Sequence, residues 1–255
     1  MKNFKIFILL VITLLGLSST ANADTILLAS DDFVGISFWI LSMACLAATV
    51  FFFLERSSVP SGWRVSITVS GLVTGITFVH YLYIREIWIT NGELRILYRY
   101  IDWLVTVPLL MLQFYFILSA VRKVPGIIFW RLLVGSLVML AGGYLSEAGY
   151  LYPMIGFIIG MTGWIYILYE VFSGDAGRLA ARSGNKAFVN AFSSMRMIVT
   201  IGWSIYPLGY VFSYLIGDAD SNSLNVIYNL VDLLNKIVFG LIIWSAAVQQ
   251  AGRPK

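Results

Sequence analysis

The two side chains that build most structural metal sites, and the one that builds disulfides, are almost missing. The 255-residue chain holds one cysteine, Cys45, and one histidine, His80. An intrachain disulfide is therefore excluded, and a structural zinc site has no ligands to draw on. Charge is scarce too: charged residues make up 12% of the chain, where a soluble domain carries roughly 25%. The net charge of +4 is too small and too scattered to argue for nucleic acid binding. There is no low-complexity tract, no convincing internal repeat and no polar segment long enough to be a soluble domain. What is there is apolar: 59% of residues are hydrophobic and the mean hydropathy is +0.85. These values describe an all-α membrane protein.

Residues 1–23, MKNFKIFILLVITLLGLSSTANA, put Lys2 and Lys5 ahead of an apolar core and end in Ala21-Asn22-Ala23. This is the pattern of a cleaved secretory signal peptide, so the mature chain is expected to begin at Asp24, on the outer side of the membrane, as a single domain over 24–255. Seven apolar stretches, each near the roughly 20 residues that span a bilayer, follow at 32–54, 65–89, 96–120, 127–146, 151–172, 188–216 and 222–248. Short breaks rich in turn formers separate them, among them SSVPSGW, TNGEL and SGDAGRLAARSGNK. With the start outside, the inner loops and tail hold Arg56, Arg64, Arg122, Lys123, Arg178, Arg182, Lys186, Arg253 and Lys255, whereas the outer loops carry mainly acidic residues with Arg85 and Arg95. Basic residues collect on the cytoplasmic side of membrane proteins, so leader and loops agree on one topology.

The informative residues are the charges inside the spans. Lys236 lies mid-way along the seventh stretch, about 18 Å from either end and beyond the reach of a snorkelling stem. A charge at such depth is disfavoured by at least about 2.5 kcal/mol, so it needs a partner. Asp232 stands one turn earlier on the same face. The pair is either packing glue, which is an inefficient use of buried charge, or an amine positioned to form a Schiff base with a carbonyl ligand. On the third stretch Arg99, Asp102, Thr106 and Gln113 follow one another by three, four and seven residues and share a face. From Asp102 to Gln113 is about 16 Å of helix, half of the membrane. Trp103, Trp164, Trp203, Tyr206 and Tyr210 come from three spans; aromatics often form interfacial belts, but mid-span Trp203 beside Pro207 fits a flat, elongated ligand between helices.

The strings SFW, FFFLER, SITVSG, HYLY, RYIDWLVTVP, RLLVGSLVML, GWSIYPLGY and IYNLVDLLNKIVFGLIIW, in this order over seven spans, resemble microbial rhodopsins, and among them the proteorhodopsins, across essentially the whole mature chain. The resemblance implies a seven-helix bundle in a bacterial inner membrane that transports protons, is not an enzyme and holds no metal. It implies all-trans retinal on Lys236 as a protonated Schiff base, with Trp103, Leu110, Met139, Trp164, Trp203, Tyr206 and Tyr210 around it. Asp102 takes the place of counterion and proton acceptor, Asp232 of second counterion, and Arg99 of the outward arginine that couples Asp102 to proton release. His80 matches a histidine that hydrogen-bonds the acceptor, and Trp39 the residue that meets His80 of a neighbouring protomer in a ring of five or six. Leu110 accompanies green absorption. Phe157 stands where carotenoid-antenna binders have a small residue, which argues against an antenna.

One position departs. Proton pumps of this kind have a carboxylic acid three turns inward of the acceptor; here it is Gln113, and an amide does not release a proton at relevant pH. Asp102 argues against chloride transport, and Thr106 against the sodium-pump set. An outward proton pump with slowed return of the proton is expected, with a slow-cycling photosensor or a donor-substituted pump as alternatives. Arg196, near the inner end of the sixth stretch, contacts headgroups or gates the inner half-channel, and Glu170 is a candidate surrogate proton collector.

Overall fold

The computed structural model describes residues 28–252. The signal peptide expected over 1–23, and the basic tail residues Arg253 and Lys255, lie outside them. Among the described residues, seven helices long and apolar enough to cross a membrane follow in order: α1 (Phe33–Glu55), α2 (Ser61–Asn91), α3 (Ile96–Val121), α4 (Ile127–Glu147), α5 (Pro153–Ala181), α6 (Lys186–Ile216) and α7 (Ser221–Ala251). Three of their starts, those of α1, α6 and α7, are capped by side chains that satisfy free amides: Asp32 takes the Gly35 N–H at 2.8 Å, Asn185 that of Phe188 at 3.2 Å and Asp220 that of Ser223 at 2.8 Å. Gly92 and Gly217 end α2 and α6 at φ values of 70° and 78°, which a Cβ would disfavour.

The expected spans agree with these helices to within a few residues, apart from the end of α5. There Asp175–Ala181, expected within a loop, forms two further helical turns. Glu170 explains it: its carboxylate accepts the Ala176 N–H at 3.0 Å and pairs with Arg131 at 3.4 Å, while Arg131 also holds Asp175 at 2.7 Å. Glu170 is thus a buried structural clamp, tied by these contacts and not free to collect protons.

Helices α4 and α5 touch through glycines. A Cβ on Gly142 would stand 2.6 Å from Gly160 N and 2.8 Å from Gly156 O. Small residues of this sort let membrane helices approach backbone to backbone. Large apolar side chains on the outer faces, such as Trp130, Ile158, Ile165 and Ile201, are exposed, as a lipid-facing surface requires. The buried polar residues collect between α2, α3 and α7, so the site lies where these three meet.

Two helices are not regular. Lys236 sits within a π turn of α7, Leu234–Val238, and α6 contains π turns at Ile198–Gly202 and Val211–Ile216 with Pro207 between them. Such turns leave carbonyls out of register and are frequent at functional positions.

Candidate functional site

Lys236, Asp102 and Asp232 are buried to within 2% exposure. Lys236 Nζ donates to Asp102 Oδ2 in the closest contact of the site and lies 3.5 Å from Asp232 Oδ2. Two carboxylates therefore surround one ammonium, and Arg99, also buried, balances the remaining negative charge. Isolated, any of these charges would be costly in an apolar bundle; together they sum to zero.

Each carboxylate is held by neutral groups from other helices. Asp102 Oδ1 accepts from Thr77 Oγ1 of α2 at 3.3 Å. Asp232 accepts from Tyr81 OH at 2.6 Å and from Tyr206 OH at 2.5 Å. Asn235 Nδ2 in turn donates to Tyr206 OH at 3.2 Å. The Arg99 guanidinium donates to Tyr81 OH at 2.9 Å and to the side-chain oxygens of Asn225 and Asn229, both at 2.8 Å. Arg99 is consequently linked through Tyr81 to Asp232, and it bonds neither oxygen of Asp102.

Lys236 opens on a cavity whose walls include all the residues expected to hold a cofactor: Trp103, Leu110, Met139, Trp164, Trp203, Tyr206 and Tyr210. Trp103 and Tyr206 meet edge to face at 4.9 Å, and Trp164 Nε1 is tied to the Val199 carbonyl at 3.0 Å, so the aromatic walls are fixed from behind. Phe157 also lines the cavity and stacks on Tyr210 at 5.8 Å. A mostly apolar chamber walled by aromatic rings, with one amine at its edge, fits a flat conjugated carbonyl compound bonded to that amine.

One expectation meets a different arrangement, that for His80, and three further positions gain partners. His80 does not bond Asp102: among the described residues its Nε2 is buried without a partner, because Thr77 and Lys236 already occupy the two Asp102 oxygens. Thr106 Oγ1 donates to the Asp102 carbonyl one turn back at 3.1 Å. Gln113, wholly buried, donates from Nε2 to Ser70 Oγ at 2.9 Å, and its Oε1 has no partner. Arg196 packs over Phe172 and Phe192 at 4.8 and 5.6 Å and bonds Ser193 at 3.3 Å.

Nothing in the sequence argument marked Tyr81, Asn225, Asn229 or Thr77. A signal existed for two of them, since Asn225, Asn229, Asp232 and Lys236 follow by four, three and four residues and share one face of α7.

The profile of the family described as "Bacteriorhodopsin-like protein" matches residues 32–250. A green-light absorbing proteorhodopsin of Gamma-proteobacterium EBAC31A08 is 51% identical over 225 residues, covering 88% of this chain and 90% of its own. A blue-light absorbing proteorhodopsin of Gamma-proteobacterium Hot 75m4 is 50% identical, covering 87% and 88%. Among solved structures, the blue light-absorbing proteorhodopsin from Med12 superposes with a TM-score of 0.74 at 49% identity, over 86% of this chain and all of that one (100%). Xanthorhodopsin, a light-driven ion pump with dual chromophore, gives a TM-score of 0.74 at 26% identity over 85% of this chain and 93% of its own.

Proposed function

This chain belongs to the bacteriorhodopsin-like family, and on that footing we propose that it is a light-driven outward proton pump whose retinal is bonded to Lys236. It is an ion transporter and not an enzyme, it resides in a bacterial membrane, and its cofactor is retinal. The observation that carries the reading is the Lys236 amine, held between Asp102 and Asp232 at the edge of an aromatic chamber.

Bound there, retinal supplies light absorption and a change of shape that alters how strongly the Lys236 nitrogen holds its proton. The protein's own groups do the rest. Asp102 Oδ2, in contact with Lys236 Nζ, takes the proton. Asp232 stays ionised under the two tyrosine hydroxyls and holds the nitrogen in place. Trp103, Trp203 and Tyr206 confine the ligand and exclude water from the chamber. On the inner side Gln113 has no proton to give, so return of the proton to Lys236 is slow and depends on the supply from cytoplasmic water.

Leu110, at 2% exposure, supports green absorption. The inner loops, richer in lysine and arginine, support a cytoplasmic C-terminus. Trp39, exposed and covered by Arg85 at 4.8 Å, together with the unpartnered His80 Nε2, supports a ring of five or six protomers.

Illumination of cells expressing the protein acidifies the medium, and an uncoupler abolishes the signal. Absence of an uncoupler-sensitive change sinks the pump in favour of a photosensor. Flash spectroscopy across pH then tests Gln113: decay of the deprotonated state slows as pH rises, whereas fast, pH-independent decay contradicts a missing donor.

A further inference from the structure

On one face of helix α2 four buried hydroxyl residues, Ser66, Ser70, Thr74 and Thr77, follow one another by four, four and three. None is more than 1% exposed. Buried hydroxyls are costly unless bonded. Ser70 Oγ and Thr74 Oγ1 donate to carbonyls of their own helix, Ser66 O at 3.2 Å and Ser70 O at 3.1 Å, which leaves their lone pairs to accept from other helices. Ser70 Oγ accepts from Gln113 Nε2 at 2.9 Å, Thr74 Oγ1 accepts from Thr49 Oγ1 of α1 at 2.8 Å, and Thr77 Oγ1 donates to Asp102 at 3.3 Å. Two oxygens beside this row, Ser66 Oγ and Gln113 Oε1, are buried with no partner.

The row is placed against Lys236 by a close approach. A Cβ on Gly240 would stand 3.1 Å from Ser70 Cβ, so α7 meets α2 backbone to side chain one turn inward of Lys236. Ser70 therefore lies about one turn inward of the lysine and Thr74 at about its level, because α2 and α7 run in opposite directions. Ser66 lies two residues into the helix that starts at Arg64, beside the inner end of the bundle. Around it the inner core is apolar, filled by Phe52, Phe114 and Phe239.

We propose that Ser66, Ser70 and Thr74 of α2, with Thr49 and the Gln113 amide, form the inner half of the proton path and return a proton to Lys236 without a carboxylic donor. This rests on the retinal-binding reading of Lys236 given above. Each hydroxyl oxygen accepts one proton and releases its own, so no group changes its net protonation. The proton enters from cytoplasmic water and ends on the lysine nitrogen. Successive hydroxyls stand about 6 Å apart along the helix, so one bridging water completes each step, bonded by the open oxygens of Ser66 and Gln113. Gln113 orients Ser70 and carries no proton itself. The competing account is that these hydroxyls only join helices, in which case their loss affects stability and leaves the kinetics alone.

The test uses the retinal-loaded full chain with Ser70→Ala, Thr74→Val and Thr74→Ser. Flash spectroscopy is expected to show decay of the deprotonated state at least tenfold slower in Ser70→Ala and Thr74→Val, unchanged rise, near-normal decay in Thr74→Ser, and recovery with azide as a diffusible proton carrier. A dark-state readout accompanies it: with isotope-labelled glutamine, the infrared amide band of Gln113 shifts in Ser70→Ala, while Gln249 and Gln250 at the inner end of α7 are unaffected. Decay within twofold of the parent in both hydroxyl-deleting variants overturns the proposal, as does slowing that Thr74→Ser fails to relieve. Slowed decay without uncoupler-sensitive pumping leaves the path standing and removes the pump. Intact pumping with unchanged decay does the reverse.

Discussion

Two cations and two carboxylates share the centre of the bundle, and disturbing any one of them leaves a buried charge without its balance. Lys236→Ala removes the amine and leaves Asp102 and Asp232 facing each other with Arg99 alone. The variant is expected to form no visible absorption band with retinal, read directly in a spectrometer, and to be less stable by several kcal/mol, about 3–5 for a broken buried pair. Gln113→Glu acts in the opposite sense. It puts a carboxylic acid beside Ser70, and a positioned general acid contributes roughly 10²–10⁴-fold, so decay of the deprotonated state is expected to quicken by at least about tenfold and lose its dependence on pH. Unchanged kinetics would show that position 113 does not limit the cycle. The charged members of the site were readable in the sequence because a charge in a membrane helix has few innocent explanations. Their neutral partners were not: tyrosine, asparagine and threonine have many structural uses, and only contact shows that Tyr81 joins Arg99 to Asp232. His80 marks the limit of reading a partner from resemblance, since Thr77 on the preceding turn reaches the carboxylate instead.

At the scale of helices, length and hydropathy suffice to place the spans, because a bilayer demands continuous apolar segments with their hydrogen bonds closed internally. Irregularities inside the spans leave no such trace. A π turn shifts one hydrogen bond without altering composition, so nothing announced the one that carries Lys236. Pro207 did announce a break in α6, since it lacks the N–H that would close the ladder. The glycines of α4 and α5 are intermediate: visible as residues, yet paired only by the fold. Gly142 opposes Gly160 N and Gly156 O, backbone atoms that cannot swing aside. Gly142→Leu therefore forces the helices apart, a cost of about 1–3 kcal/mol for overpacking. Loss of the retinal band on heating is expected at a lower temperature in this variant, and Gly126→Ala, with open space around it and a φ of -62°, serves as a comparison without helix separation.

For the molecule as a whole, the direction of transport is decided by which end faces the cytoplasm. Asp102 lies near the start of α3 and Gln113 about 16 Å further along it, so in the proposed pump a proton would leave Lys236 towards the start of α3 and return from its end. The same bundle inserted the other way round would pump inward. Loop charge argues for the outward sense, because the loops joining α1 to α2, α3 to α4 and α5 to α6 concentrate arginine and lysine. The scarcity of cysteine makes this testable with little engineering. Cys45 is fully buried and stays in place as an unreactive background. A cysteine at Ala181, exposed at the end of α5, and one at Asn222, exposed at the start of α7, then mark opposite faces. In spheroplasts a membrane-impermeant maleimide is expected to label Asn222→Cys within minutes and to leave Ala181→Cys unmodified until the membrane is opened. The reverse pattern would contradict both the loop-charge argument and outward pumping, since Asp102 would then discharge towards the cytoplasm.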